Sequence, residues 1–306
     1  MILIPPYLKP GDTVGIAATA RWLTLEQLEQ AMFFFKQMEL EVVVAENVMR
    51  RDFQLAGNAT ERVSGFNTML HDERIKAIIS ARGGYGSVHC VDDIDWEQLI
   101  RRPKWILGYS DVTLLLTEAY NRGVASIHST MPISFPDATE RAVAQIKEAL
   151  FGELKNVEWT SQEALKLDIT GHLIGGNLSV LYSILGSRSF PALEEAILFI
   201  EDVDEMVYHI DRMMMGLKRA GVLNGLKAIV VGGLTQMKDN TKAFGFSLDN
   251  PFGGSALSHI QDVAGKCGVP VVSGFPAGHM SDNRAFYHGR RVRLQSERGL
   301  SMVTWL

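Results

Sequence analysis

Cysteine is scarce: Cys90 and Cys267 are the only two in 306 residues. So few give no disulfide framework, and a reducing, cytoplasmic compartment is the simplest reading. His-Glu-x-x-His and paired Cys-x-x-Cys are both missing, so no metal is expected, and nothing points to another cofactor. Positive charge is not in excess. The chain has 30 Lys and Arg against 35 Asp and Glu, a net charge of −5 and a pI near 5.9. That balance speaks against a nucleic-acid partner, whose affinity comes from neutralised phosphates. No apolar run reaches the roughly 18 residues that a membrane span needs. The first residues, Met1 to Pro6, have neither a basic segment nor a long apolar one, so no signal peptide and no membrane partner are expected. Fixed-period repeats and low-complexity segments are also missing.

What is present is ordinary globular composition, 46% hydrophobic and 21% charged. The length exceeds the usual single core, so two domains are expected. Thr13 to Ala20, Glu41 to Ala45, Ile75 to Ala81, Trp105 to Leu107 and Val124 to Ser129 read as buried strands. Helical spacing fills the gaps: Leu25 to Met38 after Thr24, Asn58 (with a capping-box Glu61) to about Leu70, and Asp111 to Arg122. Alternating β and α predicts a parallel sheet covered by helices. An amphipathic helix from Ala138 to Phe151 closes this domain, residues 1–152. Residues 153–170 are polar without clear period and read as a linker. Residues 171–306 read as the second domain. It holds apolar strands at Ala196 to Ile200, Ala228 to Leu234 and Val269 to Ser273, helices at Val207 to Arg219 and Ser255 to Lys266, and closing β-structure from Tyr287. Met213, Met214 and Met215 read as core filling.

The chemistry concentrates at strand ends. Trp105-Ile106-Leu107-Gly108-Tyr109-Ser110-Asp111 runs from strand to helix with a break at Gly108. Ser110 there is either a helix N-cap or a nucleophile on a strand-to-helix elbow. Val112 stands where the second Gly of Gly-x-Ser-x-Gly would be, so the short motif does not decide. Arg82-Gly83-Gly84-Tyr85-Gly86-Ser87 follows the third strand. Ligands bind beyond such strand ends, so this loop is either a donor of backbone N–H groups or a plain turn. It matches neither the P-loop nor Gly-x-Gly-x-x-Gly. His128 ends the fifth strand and reads as structural. Glu201, Asp202 and Glu205 follow a fully apolar strand, and His279 sits in a Gly- and Pro-rich turn. A serine hydrolase needs a nucleophile, a base and an orienting acid. Ser110, His279 and one of the three acids supply those types in the order serine, acid, histidine.

Taken together, Pro5-Pro6-Tyr7-Leu8-Lys9-Pro10-Gly11-Asp12, Arg82 to Gly86, Gly108 to Thr113, Gly175-Gly176-Asn177-Leu178, Leu198 to Asp202 and Gly278-His279 resemble the LD-carboxypeptidases, serine peptidases that trim peptidoglycan peptides. The resemblance spans almost the whole chain. It implies an α/β fold, with a flavodoxin-like parallel-sheet N-terminal domain and a smaller β-rich α/β C-terminal domain, in a homodimer. It implies Ser110 as nucleophile, Glu201 as orienting acid, His279 as base, and an oxyanion hole from backbone N–H groups of Gly84 or its neighbour and Asp111. Arg82, Tyr85 and Asn177 are candidate substrate contacts. The implied reaction releases the terminal D-alanine from murein tetrapeptides by cleaving an L,D-amide. A related branch confers immunity to a peptide-nucleotide antibiotic, so an adenylate-type substrate is the alternative. A non-catalytic peptide or nucleotide binder is the reading from another class. Ala17 to Ala20 stands where many members have an Ala-Pro-Ser-like turn, and His89 where many have Arg. Both departures bear on substrate more than on mechanism.

Overall fold

The computed structural model describes residues 2–239 and 251–306, which fall into two compact units. The first unit comprises residues 1–155 and 281–290. Its elements are β1 (Thr13–Ala17), α1 (Leu25–Gln37), β2 (Glu41–Val44), α2 (Ala59–His71), β3 (Ile75–Ser80), α3 (Trp96–Arg101), β4 (Trp105–Gly108), α4 (Thr113–Asn121), β5 (Ser126–His128) and α5 (Glu140–Phe151). The five strands are parallel in the order β2-β1-β3-β4-β5, the flavodoxin-like order. The two predicted caps form. Thr24 and Gln27 exchange bonds at the start of α1, and Asn58 and Glu61 do so at the start of α2. β3 and β4 are almost continuously buried, as strands covered on both faces must be.

The second unit comprises residues 156–280 and 291–306. It adds β6 (Asn156–Thr160), β7 (Leu167–Asn177), α6 (Leu178–Ser183), β8 (Ile197–Val203), α7 (Val207–Arg219), β9 (Ala228–Thr235), α8 (Ala256–Gly265) and β10 (Val271–Ser273). Phe286–His288 (β11) belongs to the first unit, and Arg291–Glu297 (β12) and Leu300–Trp305 (β13) complete the second. The sheet order is β10-β9-β8-β7-β12-β13-β6. β7 is the seam. Its first half pairs antiparallel with β12, and its last residues pair parallel with β8. Burial along β7 changes with the partner, from alternating at Leu167 to Thr170 to continuous from Leu173 onward. A half-exposed antiparallel strand alternates, while a strand among parallel neighbours is buried on both faces.

Two boundary expectations are corrected. Residues 153–170 are not a linker, because they hold β6 and the first residues of β7. Asn156-Val157-Glu158-Trp159-Thr160 alternates exposed and buried, a period too short to stand out in a polar stretch. Residues 281–290 do not belong with the second domain. β11 returns to the first sheet and pairs antiparallel with β5, Phe286 opposite His128.

Candidate active site

In the first unit, the apolar β4 brings the chain to Gly108, whose φ is +156°. A Cβ there would lie 2.7 Å from Val112 Cγ1. Ser110 then adopts φ +62°, the left-handed region that L side chains rarely occupy. An N-cap takes extended backbone and bonds the first turn. Neither the short turn at Ser110–Val112 nor α4 carries a side-chain cap. Ser110 is therefore on a strained strand-to-helix elbow, and the capping alternative falls away.

The glycine loop lies against this serine. A Cβ at Gly83 would stand 3.2 Å from Ser110 Cβ, 3.4 Å from Ser110 Oγ and 3.2 Å from Met131 Cε. Gly84 and Gly86 have positive φ. Gly84 is exposed, and its N–H donates to no partner among the described residues. Gly83→Ala should reduce kcat by roughly 10- to 100-fold, since an ångström-scale misplacement at a site is that costly. The fold should hold, because the φ at Gly83 is ordinary and the new methyl touches movable side chains. Single-turnover kinetics with a denaturation curve checks both parts.

Two residues fasten this loop: Asp111, singled out in the sequence for its backbone N–H alone, and Arg62, which sequence reasoning missed. The Asp111 carboxylate is buried and accepts the Ser87 N–H at 2.9 Å. Burial pushes the Asp111 carboxyl above its ordinary range, against the bonds from Ser87 and Gly86 and the charge of Arg62. Arg62 is fully buried on α2, and its Nη1 donates to the carbonyls of Thr19 and of Gly86, the latter at 2.8 Å. Thr19 Oγ1 and Ser87 Oγ meet at 2.8 Å. Cys90 also packs here, its thiol pushed up to about 11 by burial, so it is an inert neighbour. Arg62→Met should destabilise the protein by about 1–3 kcal/mol, because it leaves the buried carbonyls of Thr19 and Gly86 without their donor. Urea unfolding measures this. A loss under 1 kcal/mol would show that Arg62 does not hold the loop.

In the second unit, Glu201 lies on β8 and is fully buried. Its Oε2 accepts from His279 Nδ1 at 2.7 Å and from the His279 backbone N–H at 3.1 Å. Gly278 has φ +121°, and a Cβ there would lie 2.9 Å from Glu201 Cβ and Oε2, so only glycine fits beside this acid. Thr235 Oγ1 donates to the His279 carbonyl at 2.9 Å. With Nδ1 bonded to a carboxylate, the neutral imidazole leaves Nε2 as a proton acceptor. Burial pulls His279 down, but the bond and charge of Glu201 and the charge of Asp202 raise it on balance. The other two acids are engaged elsewhere. Asp202 accepts from Asn177 Nδ2 at 3.0 Å, Ser179 N–H at 2.9 Å and Val203 N–H at 2.8 Å. Burial, then the Glu201 charge, pushes Asp202 up to about 6. Glu205 meets His209 Nδ1 at 2.6 Å.

The remaining sequence candidates are placed as follows. Arg82 is half-buried beyond β3. Tyr85 is exposed, its ring edge-on to His89 at 5.6 Å. Asn177 caps α6 through Val180 N–H while holding Asp202. His128 is buried, bonded to Asn283 at 3.2 Å and stacked on Phe286 at 4.7 Å, a structural histidine. Among the described residues no group of three or more His, Cys, Asp or Glu could hold a metal ion.

The LD-carboxypeptidase N-terminal domain matches residues 14–129, and the LD-carboxypeptidase C-terminal domain matches residues 170–294. The chain belongs to the LD-carboxypeptidase family. The Bacillus subtilis probable murein peptide carboxypeptidase is 30% identical over 98% of this chain and 93% of its own length. The Escherichia coli microcin C7 self-immunity protein MccF is 26% identical over 90% of this chain and 88% of its own. The solved muramoyltetrapeptide carboxypeptidase from Oxalobacter formigenes superposes with a TM-score of 0.85 at 26% identity, covering 95% of this chain and 97% of that one. Within this LD-carboxypeptidase, no described helix is long and apolar enough to cross a membrane.

Proposed function

We infer that this serine LD-carboxypeptidase releases the C-terminal D-alanine from murein tetrapeptides. The observation that carries the reading is Ser110 in the left-handed conformation on the elbow after β4, in a chain of this family. In this reading His279 Nε2 takes the Ser110 proton as Oγ attacks the carbonyl of the L,D-amide. Glu201 holds the imidazole in the productive tautomer and stabilises the imidazolium. The N–H groups of Gly84 and Asp111 steady the oxyanion. The C–N bond breaks, His279 returns the proton to the leaving amine, and D-alanine departs. Water then hydrolyses the acyl-enzyme by the same base. Arg82 and Tyr85 are the proposed substrate contacts, with Asn177 acting through Asp202.

An adenylate-type substrate calls for an exposed aromatic platform. Trp96, Trp105 and Trp159 are buried, but Phe53 and Tyr85 are exposed, so the aromatic residues do not separate the two substrates and the assay below does. We place the reaction in the cytoplasm. The support is two free thiols, Cys90 and Cys267, which suit a reducing compartment. A homodimer is the proposed assembly. The direct test is D-alanine release from a murein tetrapeptide. Release supports the reading. No release, together with cleavage of a peptidyl adenylate analogue, would move the chain to the immunity branch. Neither reaction would leave a binder.

A further inference from the structure

Arg21 and Arg82 leave neighbouring strands at one edge of the first sheet. Ala17, ending β1, is in register with Ser80, ending β3, and Ala81 N–H bonds the Ala17 carbonyl at 2.7 Å. The strand order reverses between β1 and β3, and in such sheets the ligand crevice opens at that switch point. Arg21 is fixed there by a bridge to Leu55, and Ala56 N–H holds the Ala20 carbonyl at 2.9 Å. Its side chain lies over the glycine loop. A Cβ at Gly84 would stand 2.6 Å from Arg21 Nε and 2.7 Å from Cδ. Successive glycines thus touch Ser110 on one side and Arg21 on the other.

Several arginines are paired: Arg50 with Glu61, Arg74 with Asp72, Arg122 with Glu118 and Arg293 with Asp168. Arg101, Arg219 and Arg298 have no ion pair among the described residues but are exposed, where water screens them. Arg21 and Arg82 differ from both groups. Both are half-buried, and among the described residues neither guanidinium has an ion pair or a side-chain hydrogen bond. Burial first, and the Arg21 charge second, hold Arg82 below the ordinary arginine range. Asp52 lines a cavity of about 320 Å³ with Arg21, Phe53 and Tyr85, but it too has no ion pair among the described residues. Two desolvated like charges without a counter-ion are costly, and a carboxylate placed between them removes that cost.

The geometry fits one carboxylate of a peptide. In a carboxypeptidase substrate the terminal carboxylate belongs to the residue just beyond the scissile amide. Gly83 borders Ser110, and Arg21 lies over the next residue, Gly84, so the arginine stands one residue along the loop from the nucleophile. We propose that Arg21 and Arg82 form a clamp for the terminal carboxylate of the residue that is released, and that this clamp restricts the enzyme to the chain end. The proposal rests on the peptidase reading above, and Arg21 is its new member.

The test uses Ser110→Ala protein and two probes, the murein tetrapeptide as free acid and as C-terminal carboxamide, titrated by calorimetry. The acid should bind about tenfold more tightly or better, and Arg21→Met or Arg82→Met should each bring the two probes within about twofold. Arg21→Lys should retain part of the preference, and unchanged circular dichroism melting curves show that the variants fold. Equal binding of both probes to the Ser110→Ala protein overturns the clamp, as does a preference that survives both Met variants. Turnover by the Ser110 enzyme is scored separately. D-alanine release without an acid preference defeats the clamp and keeps the peptidase. An arginine-dependent preference without release keeps the anion site and defeats the peptidase. Failure to bind either probe, with no release, defeats both.

Discussion

Ser110→Ala should reduce D-alanine release by about 10⁴-fold or more while leaving peptide binding in place. No other hydroxyl can replace Oγ at the elbow, because the backbone conformation that lifts it is local to this residue. That same conformation supplies an independent check. At φ +62° an L side chain costs about 1–2 kcal/mol, and glycine does not carry this cost. Ser110→Gly should therefore be as inactive as Ser110→Ala but more stable by about 0.5–1 kcal/mol, after allowing for the greater freedom of glycine in the unfolded chain. Both variants lack the hydroxyl, so their difference isolates backbone strain. Urea midpoints for the pair measure it. Equal midpoints would remove the strained elbow, and residual activity near that of the unaltered enzyme would remove Ser110 as nucleophile.

Glu201→Gln should lower kcat by about 10³- to 10⁴-fold, and it should also move the pH profile. As the proposed base, His279 would work only when neutral, so kcat/KM should rise with pH through the His279 pKa. That pKa is raised above the ordinary histidine range, although burial lowers it, because Glu201 and Asp202 favour the imidazolium. Glutamine removes the Glu201 charge and leaves the burial. The acid limb should then shift to lower pH even as the rate falls. A purely structural role for Glu201 would lower the rate with the limb unmoved. His279→Ala should match Ser110→Ala in activity, and the double variant should be little worse, since the two would act as one unit.

Ser110 shows how far the sequence could be read. Strand, break and helix were all visible in Trp105 to Arg122, but φ is not written in residue types, and φ separates an elbow from a cap. Residue types alone left three candidate acids within five residues of each other; the family resemblance pointed to Glu201, and the side-chain geometry puts Glu201 on His279. Arg62 carried a signal that could have been used. It shares the buried face of α2 with Phe66, Met69 and Leu70, and a charge on an apolar stripe calls for a partner. Asp111 was singled out for its backbone, yet its carboxylate holds the loop. The parallel sheet was legible because its strands are long apolar runs with helices between them. β6 was not, since five alternating residues resemble polar coil. β11 was invisible for another reason: its partner lies 286 − 128 = 158 residues earlier, and nothing local specifies that pairing.

That late strand sets an order of events during synthesis. A ribosome delivers β1 to β5 early, but the outer edge of β5 stays open until β11 emerges. At about 5–20 residues per second, those 158 residues take roughly 8–30 seconds. During that interval the nascent first unit carries an unpaired strand edge, the kind of surface on which chains adhere to one another. Residues 281–290 thus act as a closing latch on a unit otherwise built from residues 1–155.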